Sequence, residues 1–427
     1  MAQFRDLPKE VINTIVSYVP IEVLEKLFDI PFLGMFAQKE VNSTVVISDL
    51  SKCDEEPVVY SDQKLYVKNT IEYLNLLRSE PNLVPKRIIF KNPFDALALV
   101  QMLPSAMVNV KAELYFETNH SNAIKPGFYI HEYLQRPFYV DAIHTVYGNN
   151  FEHYLCPTLT QNVKSLTLSG TDPIDFTSIS QVFFPHLSFL QIEQQLDAEE
   201  FRSLPRNLKA FVGNMKNTNA SQMKLEFPET LNKLHLKVDS MHGDVMCQFD
   251  ISHLTKLHDA RIEPSTVVIG FRGENTPLLG SWNLPNSLQK LWIYYNRMII
   301  GKLETIGSSI TELEIHCHYE GDDNDFIQDL SIPESVKVLA IPSSFLSYTG
   351  RSITLKFLKD HPQLRYRVKF PDGLMKLKLT GNSDIRRTLV LDFYVHKFPN
   401  LEELILWLPG HVNAIGKFPK RIKKIHA

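Results

Sequence analysis

Short segments with the pattern Leu-x-x-Leu-x-Leu/Ile recur along most of the chain, and many follow an apolar residue and a proline. In one such segment, Pro285 is followed by Leu288 and Leu291. Apolar residues that alternate with polar ones predict a short strand with one buried face. The predicted strand centres, about 21 to 38 residues apart, are Leu166, Leu190, Phe211, Leu234, Ala260, Leu291, Leu313, Leu339, Leu377, Leu404 and Ile425.

This spacing resembles the leucine-rich repeat, in which each unit adds one strand to a parallel sheet and then returns the chain. Helical patterns at 69–78 and 93–103 separate weaker strand patterns nearer the N-terminus. Together the patterns predict about fifteen irregular units. The weaker strand patterns lie at residues 64–68, 87–90, 112–116 and 142–147.

The residues between the leucines of each strand are expected to face away from the buried side, on the concave face of the solenoid. Trp292, Tyr294 and Trp407 fall on this face, and exposed aromatic side chains on a rigid surface are typical of interface anchors. We therefore predict that these three residues bind a protein substrate. Covering loops, or a register shifted by one residue, would instead bury them. The middle position of each strand forms a row that contains Thr167, Gln191, Val212, His235, Arg261, Trp292, Glu314, Ala340, Lys378 and Ile405.

The first 48 residues differ from the rest and predict three short helices. Pro8 can open the first helix, Pro20 ends it, and Pro31 ends the second. Apolar residues at helical spacing, such as Val11 and Ile15, mark each helix. Three short helices enclose little core, so such a module needs a partner surface.

Residues Leu7-Pro8-x-Glu10-Val11, with the helix end that follows, resemble an F-box. The resemblance implies docking on the SKP-type adaptor of a cullin-RING ubiquitin ligase. The family's usual Trp in the third helix is missing, and Phe36 is the nearest substitute. The alternative is a plain N-terminal cap on the first strand of the solenoid. The adaptor-binding residues that the resemblance implies are Leu7, Pro8, Val11, Ile15, Val16, Leu24 and Leu27.

The expected fold class is α/β, with a parallel sheet on the concave face of a leucine-rich-repeat solenoid. Residues 1–48 are the F-box-like module, 49–160 the degenerate early repeats, and 161–427 the solenoid. The chain has 25 Pro and 17 Gly, which disfavours the positive-φ turns of hairpins. Eight of the prolines precede the first leucine of a repeat, where a fixed φ suits the turn into a strand.

The net charge of −3 gives no general footprint for nucleic acid, and no apolar run is long enough to span a membrane. We therefore expect neither partner. The four Cys form no CxxC pair, which fits a reducing compartment, cytoplasmic or nuclear. The basic tail, residues 417–424, is a nuclear import signal, a contact for an acidic partner, or, as is more often the case, a charged edge that prevents strand pairing.

The sequence predicts no metal, no cofactor and no catalytic residue. His316-Cys317-His318 invites a metal interpretation, but alternate residues of a strand face opposite sides, so the three side chains cannot converge. Nucleotide-binding and hydrolase motifs are absent from the sequence.

The resemblance implies a substrate-recognition subunit of an SCF-type ubiquitin ligase. Residues 1–48 would hold the adaptor within the cullin complex, and the repeats would present a protein substrate for ubiquitin-dependent degradation. The alternatives are a non-ligase F-box scaffold and a plain repeat interaction protein without an adaptor.

Overall fold

The computed structural model divides the chain into two compact units, Met1–Gln194 and Gln195–Ala427. This division differs from the boundaries expected at residues 48 and 160, and each unit is described by itself. The residues described are 7–48, 58–61, 64–80, 83, 85–116, 139–145, 160–169, 174, 176, 179, 183–197, 199–216, 223–238, 249–264, 284–295, 309–317, 330–342, 368–380, 389–392, 399–407, 412–415 and 424–426.

Most of the described helix lies in the first unit, where apolar spacing predicted it. Turns of 3₁₀ helix occupy Glu25–Leu27, Pro104–Met107 and Glu200–Ser203. Asn69 caps one helix by accepting a hydrogen bond from the N–H of Glu72 at 3.0 Å. The α-helices are α1 (Lys9–Ser17), α2 (Ile21–Leu24), α3 (Leu33–Val41), α4 (Thr70–Ser79) and α5 (Pro93–Met102).

The first unit contains one sheet with the strand order β2-β3-β1-β4-β5-β6-β7-β8. All of these pairs are parallel except β2 with β3, a local hairpin in a chain whose proline excess disfavours hairpins. β1 comes from the segment assigned to the helical module, yet it lies between β3 and β4. The strands are β1 (Thr44–Ile47), β2 (Val58–Ser61), β3 (Lys64–Val67), β4 (Arg87–Phe90), β5 (Lys111–Phe116), β6 (Tyr139–Thr145), β7 (Ser165–Leu168) and β8 (Phe189–Leu196).

The second unit is a parallel-sheet solenoid with the strand order β9-β11-β13-β14-β15-β17-β19-β21-β23. Short strands form three more parallel pairs, β10 with β12, β16 with β18 and β20 with β22. The strands are β9 (Ala210–Met215), β10 (Met223–Lys224), β11 (Lys233–Val238), β12 (Phe249–Asp250), β13 (Asp259–Pro264), β14 (Lys290–Tyr295), β15 (Glu312–Cys317), β16 (Leu330–Ser331), β17 (Val338–Pro342), β18 (Val368–Lys369), β19 (Lys376–Thr380), β20 (Leu389–Asp392), β21 (Glu403–Trp407), β22 (Val412–Ile415) and β23 (Lys424–His426).

The strand centres predicted from the leucine pattern are aligned in this sheet. Leu234 pairs with Phe211 on one side and Ala260 on the other, and Leu291 pairs with Leu313. The parallel leucine-rich-repeat-like solenoid is therefore confirmed, and its buried face consists of these aligned apolar rows.

Proline opens the turn before many of these strands. The carbonyl of Pro228 accepts the N–H of Leu231 at 3.1 Å, and Pro285 holds Leu288 in the same way. Proline supplies the fixed φ of the turn, and its carbonyl closes the turn onto the first buried leucine.

One carbonyl just before the start of most strands in the main sheet joins neighbouring coils. The carbonyl of Lys209 accepts N–H groups from Asn232 at 2.7 Å and Lys233 at 3.1 Å. The carbonyl of Asn232 accepts two from the next coil, at His258 and Asp259. The same double contact recurs at the carbonyls of His258, Gln289, Thr311, Lys337 and Met375.

Charged side chains at the first position alternate in sign along four neighbouring strands, β11, β13, β14 and β15, and again between β19 and β21. Lys290 lies in register between Asp259 and Glu312, and its Nζ contacts a Glu312 carboxylate oxygen at 2.7 Å. Lys376 contacts Glu403 at 3.2 Å. Opposite charges on adjacent strands favour this register over a shifted one.

An aromatic cluster fills the core where β9 departs from the leucine pattern. A Cβ atom at Gly213 would lie 2.4 Å from the ring of Phe211, so any larger residue at this position would force that ring to move. The rings of Phe201 and Phe227 pack around Phe211, with centroids 5.9 Å and 5.8 Å from it.

A hydroxyl group in the turn before a strand also bonds the previous coil. The Thr230 hydroxyl lies 2.7 Å from the carbonyl oxygens of both Arg206 and Leu208, and its one proton can be donated to either. Ser287 and Ser309 make equivalent contacts to Leu257 and Leu288.

The substitution Thr230→Val should lower the free energy of unfolding by about 1 to 2 kcal/mol, because it removes the hydroxyl while keeping the shape of the side chain. Urea unfolding followed by circular dichroism measures this loss. The matched control is Thr255→Val, at an exposed threonine in the next coil, which should change stability little. Equal losses for both variants would contradict the role given to the hydroxyl.

Candidate interaction surface

The polar face of the second unit lies opposite its buried leucine rows. Residues at the middle strand position pair directly across the sheet, as the sequence pattern indicated. Arg261 pairs with Trp292, Trp292 with Glu314, and Ala340 with Lys378. The parallel strands thus bring chemically different side chains from separate coils into one row.

Glu263 is the centre of the first group on this face. It accepts hydrogen bonds from Arg261 Nη2 at 2.9 Å and Nε at 3.2 Å, and it lies 2.7 Å from His235 Nε2. Lys237 Nζ lies 4.0 Å away. The Glu263 side chain is 14% exposed, whereas the side chains of Lys237 and Arg261 are 42% and 45% exposed. This group therefore presents mainly its cations to solvent.

Burial and these contacts together lower the pKa values of both Glu263 and His235. Burial alone would raise the pKa of Glu263, but hydrogen bonds from Arg261 and His235 outweigh burial and lower that pKa. Burial lowers the pKa of His235, and the hydrogen bond to Glu263 only partly offsets this. Glu263 is therefore held as a carboxylate.

Trp292 lies half-buried between side chains of the two neighbouring strands. The guanidinium carbon of Arg261 is 4.0 Å from the indole centroid, a cation–π distance. The imidazole of His316 stacks on the indole, with centroids 4.7 Å apart and planes inclined by 27°. The indole is held in place by both contacts.

Glu314 is the centre of the second group. Its Oε1 lies 2.5 Å from His316 Nε2 and 3.7 Å from Lys378 Nζ. The hydrogen bond from His316 lowers the pKa of Glu314 against the effect of burial, and Lys378 and Trp292 lower it further. Lys378 reaches Glu314 across an intervening strand because the residue between them, Ala340, has a short side chain.

Of the three residues predicted to bind substrate, Trp292 lies in this row. Tyr294 pairs with His316 across β14 and β15, and Trp407 pairs with Thr380 across β19 and β21. The side chains of Tyr294 and Trp407 lie outside the described residues, so their roles stay predictions.

The first unit has a comparable group, which the sequence analysis did not single out. Glu113 is buried and lies 2.7 Å from His144 Nε2, accepts the Tyr115 hydroxyl at 3.0 Å, and contacts Arg87 at 3.5 Å. Lys91 lies 3.2 Å from the centroid of the Tyr115 ring. A carboxylate and an aromatic residue two positions apart, as in Glu113-Leu-Tyr115, were the available signal.

The residues implied in adaptor binding divide into two sets. Val16 and Leu24 are buried in the core of the helical module, where Ile12 and Phe36 also pack. Leu7 and Leu27 pack partly against that core. Pro8, Val11 and Ile15 are exposed, and with Tyr18 they form a stripe along α1.

Among the residues that the structure describes, no group of three or more His, Cys, Asp or Glu could hold a metal ion. His318 lies outside them, so the His-Cys-His segment is placed only in part. No helix in the described ranges is both long and apolar enough to cross a membrane.

Comparison with known proteins finds similarity to a solved repeat structure. No family model matches the chain, and no curated protein matches it. The solved structure of CroV588, described as a novel circular LRR protein, aligns with 84% of this chain at 11% sequence identity and a TM-score of 0.36. The alignment spans only 55% of that protein's length.

Low pH should weaken the contribution that the Glu263 carboxylate and its hydrogen bonds make to the stability of the fold. Because the pKa of Glu263 is lower in the folded chain than in the unfolded one, its network stabilises the fold above the ordinary glutamate pKa. That contribution is lost as the pH falls through the folded pKa. The thermal midpoint of Glu263→Gln should therefore lie below that of the wild type at pH 7, by about 2 °C or more, and the difference should shrink at pH 3.

Differential scanning calorimetry at both pH values measures this difference. Glu229→Gln, at an exposed glutamate in the turn before β11, is the control and should match the wild type throughout. A difference between wild type and Glu263→Gln that grew on acidification would contradict the assigned network.

Proposed function

We propose that this protein is a substrate-recognition subunit of an SCF-type ubiquitin ligase. Its helical module would bind the SKP-type adaptor, and the polar face of the second unit would bind a protein substrate. The observation that carries the proposal is the exposed apolar stripe on α1.

Helix α1 has apolar residues on two sides. Ile12 and Val16 pack in the module, while Val11 and Ile15 are exposed by about two fifths and Tyr18 by 84%. A nine-residue helix that exposes as many large apolar side chains as it buries is typical of a partner-binding helix. The F-box resemblance of Leu7-Pro8-x-Glu10 assigns the adaptor as that partner.

The helical module is joined closely to the sheet of the first unit. α3 ends at Val41 and β1 begins at Thr44, between β3 and β4. Lys86 Nζ contacts the Glu40 carboxylate at 2.6 Å. An adaptor held by α1 would therefore be held on a rigid base.

The proposed mechanism is proximity. Holding a substrate lysine near a charged conjugating enzyme raises its effective concentration, and this chain needs no catalytic group of its own. What the chain supplies is two surfaces, the exposed stripe along α1 and the polar face of the second unit, on which Arg261, Trp292 and Glu314 already contact neighbouring side chains.

One observation favours a second candidate, a repeat interaction protein whose helical module is only a cap. β1 and the Glu40–Lys86 ion pair make the module part of the first sheet, as a cap requires. The exposed α1 stripe has no role in that alternative, which is why we favour the receptor.

The double substitution Val11→Asp/Ile15→Asp should abolish capture of a purified SKP-type adaptor by the full-length protein, because charges would replace the apolar contact. Ile71→Asp, at a similarly exposed apolar position on α4, should capture the adaptor normally. Co-purification measures both, and the thermal midpoint checks that the variants are folded. Deletion of residues 1–48 is a poor test, because it also removes β1 from the sheet.

Failure of the wild type to bind the adaptor would exclude the ligase function and leave the repeat interaction protein. Measuring the degradation of a captured protein distinguishes a ligase receptor from a non-ligase scaffold. A captured protein should have a longer half-life in cells that lack this chain, and an unchanged half-life would favour the scaffold.

A further inference from the structure

We infer that the polar face of the second unit binds an extended, acidic segment of its protein partner. The inference rests on the proposed function, because it names the feature that a substrate would present. The face concerned is defined by Lys237, Arg261, Trp292, Glu314 and Lys378.

Charge on this face favours an acidic partner. At the middle and last outward positions of strands β11 to β19, three cations, Lys237, Arg261 and Lys378, accompany two carboxylates, Glu263 and Glu314. The first positions of these strands carry charges of both signs, which include Asp259, Lys290, Glu312 and Lys376. Lys237 and Arg261 are about three times as exposed as Glu263. A partner that approaches this end of the face therefore meets positive charge first.

The two carboxylates are already engaged by the chain itself. Glu263 contacts His235, Arg261 and Lys237. Glu314 contacts His316, Trp292 and Lys378. A basic partner would have to displace these donors, whereas an acidic partner would add to them.

Arg261 is held in a position from which it can donate a hydrogen bond to a carboxylate of the partner. It donates to Glu263 through Nε and Nη2, and a guanidinium has a third nitrogen, Nη1, that can donate to a partner carboxylate. Its position over Trp292 reduces the side-chain freedom that binding would otherwise remove.

The strand order sets a spacing for the acidic groups. Arg261 on β13 and Lys378 on β19 are separated by four steps between neighbouring strands, about 19 Å. An extended chain lying across the strands covers about 20 Å in six residues. Two acidic residues six apart would therefore reach both cations, with the uncharged segment between them over Trp292, Glu314 and Ala340.

A nucleic acid is the less favoured anion. Its phosphates are regularly spaced along the backbone, so some of them would lie over Glu263 and Glu314, and the whole chain carries a net charge of −3. A protein segment can place its charges only where the cations are.

The test uses full-length protein and fluorescein-labelled, otherwise uncharged peptides with two glutamates six residues apart, one glutamate, or two glutamines. Fluorescence anisotropy should show the two-glutamate peptide binding most tightly and the glutamine peptide not binding. Lys237→Gln and Arg261→Gln should each weaken binding by about tenfold. Lys378→Gln should remove the advantage of two glutamates over one.

Lys256→Gln and Lys337→Gln are the matched controls. Both lysines are exposed in turns that precede β13 and β17, and each variant loses one positive charge. Their affinities should equal that of the wild type. Because Arg261 also supports Trp292, Lys237→Gln provides the independent result if Arg261→Gln alters the fold.

The inference is overturned by absence of binding up to about 1 mM peptide, by equal losses in the control variants, or by tighter binding of a basic peptide or a single-stranded oligonucleotide. The same preparation is tested for adaptor capture. Capture without peptide binding contradicts only this inference, and peptide binding without capture contradicts only the proposed function.

Discussion

The second unit depends on one backbone carbonyl just before each of seven neighbouring strands, β9 to β19 of its main sheet, which accepts two N–H groups from the next coil. The contact between Lys209 and residues 232–233 is the first of this series. A parallel sheet has no tight turn to fix its register, so these contacts, together with the alternating charges around Lys290, take that role. A slip of one residue would place the leucine rows in solvent.

The fixed register gives the polar face its chemistry. Trp292 contacts Arg261 and His316 because coils distant in sequence place them on adjacent strands. Lys378 reaches Glu314 because Ala340 is small. Each coil contributes only one or two side chains, so the charge and the aromatic contacts of the face arise from several neighbouring coils together. Substitution in a single coil can therefore change a surface that several coils form.

The sequence predicted the strands of the leucine pattern and the row that contains Trp292, because both follow from local alternation. It could not place β1 between β3 and β4, since that pairing joins segments about 20 to 40 residues apart without a local pattern. Helical spacing also marked Ile15 and Val16 alike, although only Val16 is buried. Periodicity identifies apolar positions, but it does not tell which of two adjacent stripes faces the core.

The account's central claim is the register of the coils, and zero-length carbodiimide coupling of the wild-type protein tests it most directly. This reaction joins an amine to a carboxylate only where the two are in contact. Mass spectrometry should find Lys290 joined to Glu312 and Lys376 joined to Glu403, the pairs that lie 2.7 Å and 3.2 Å apart. Coupling of Lys290 to carboxylates on strands other than β13 and β15, with no Lys290–Glu312 product, would contradict the account.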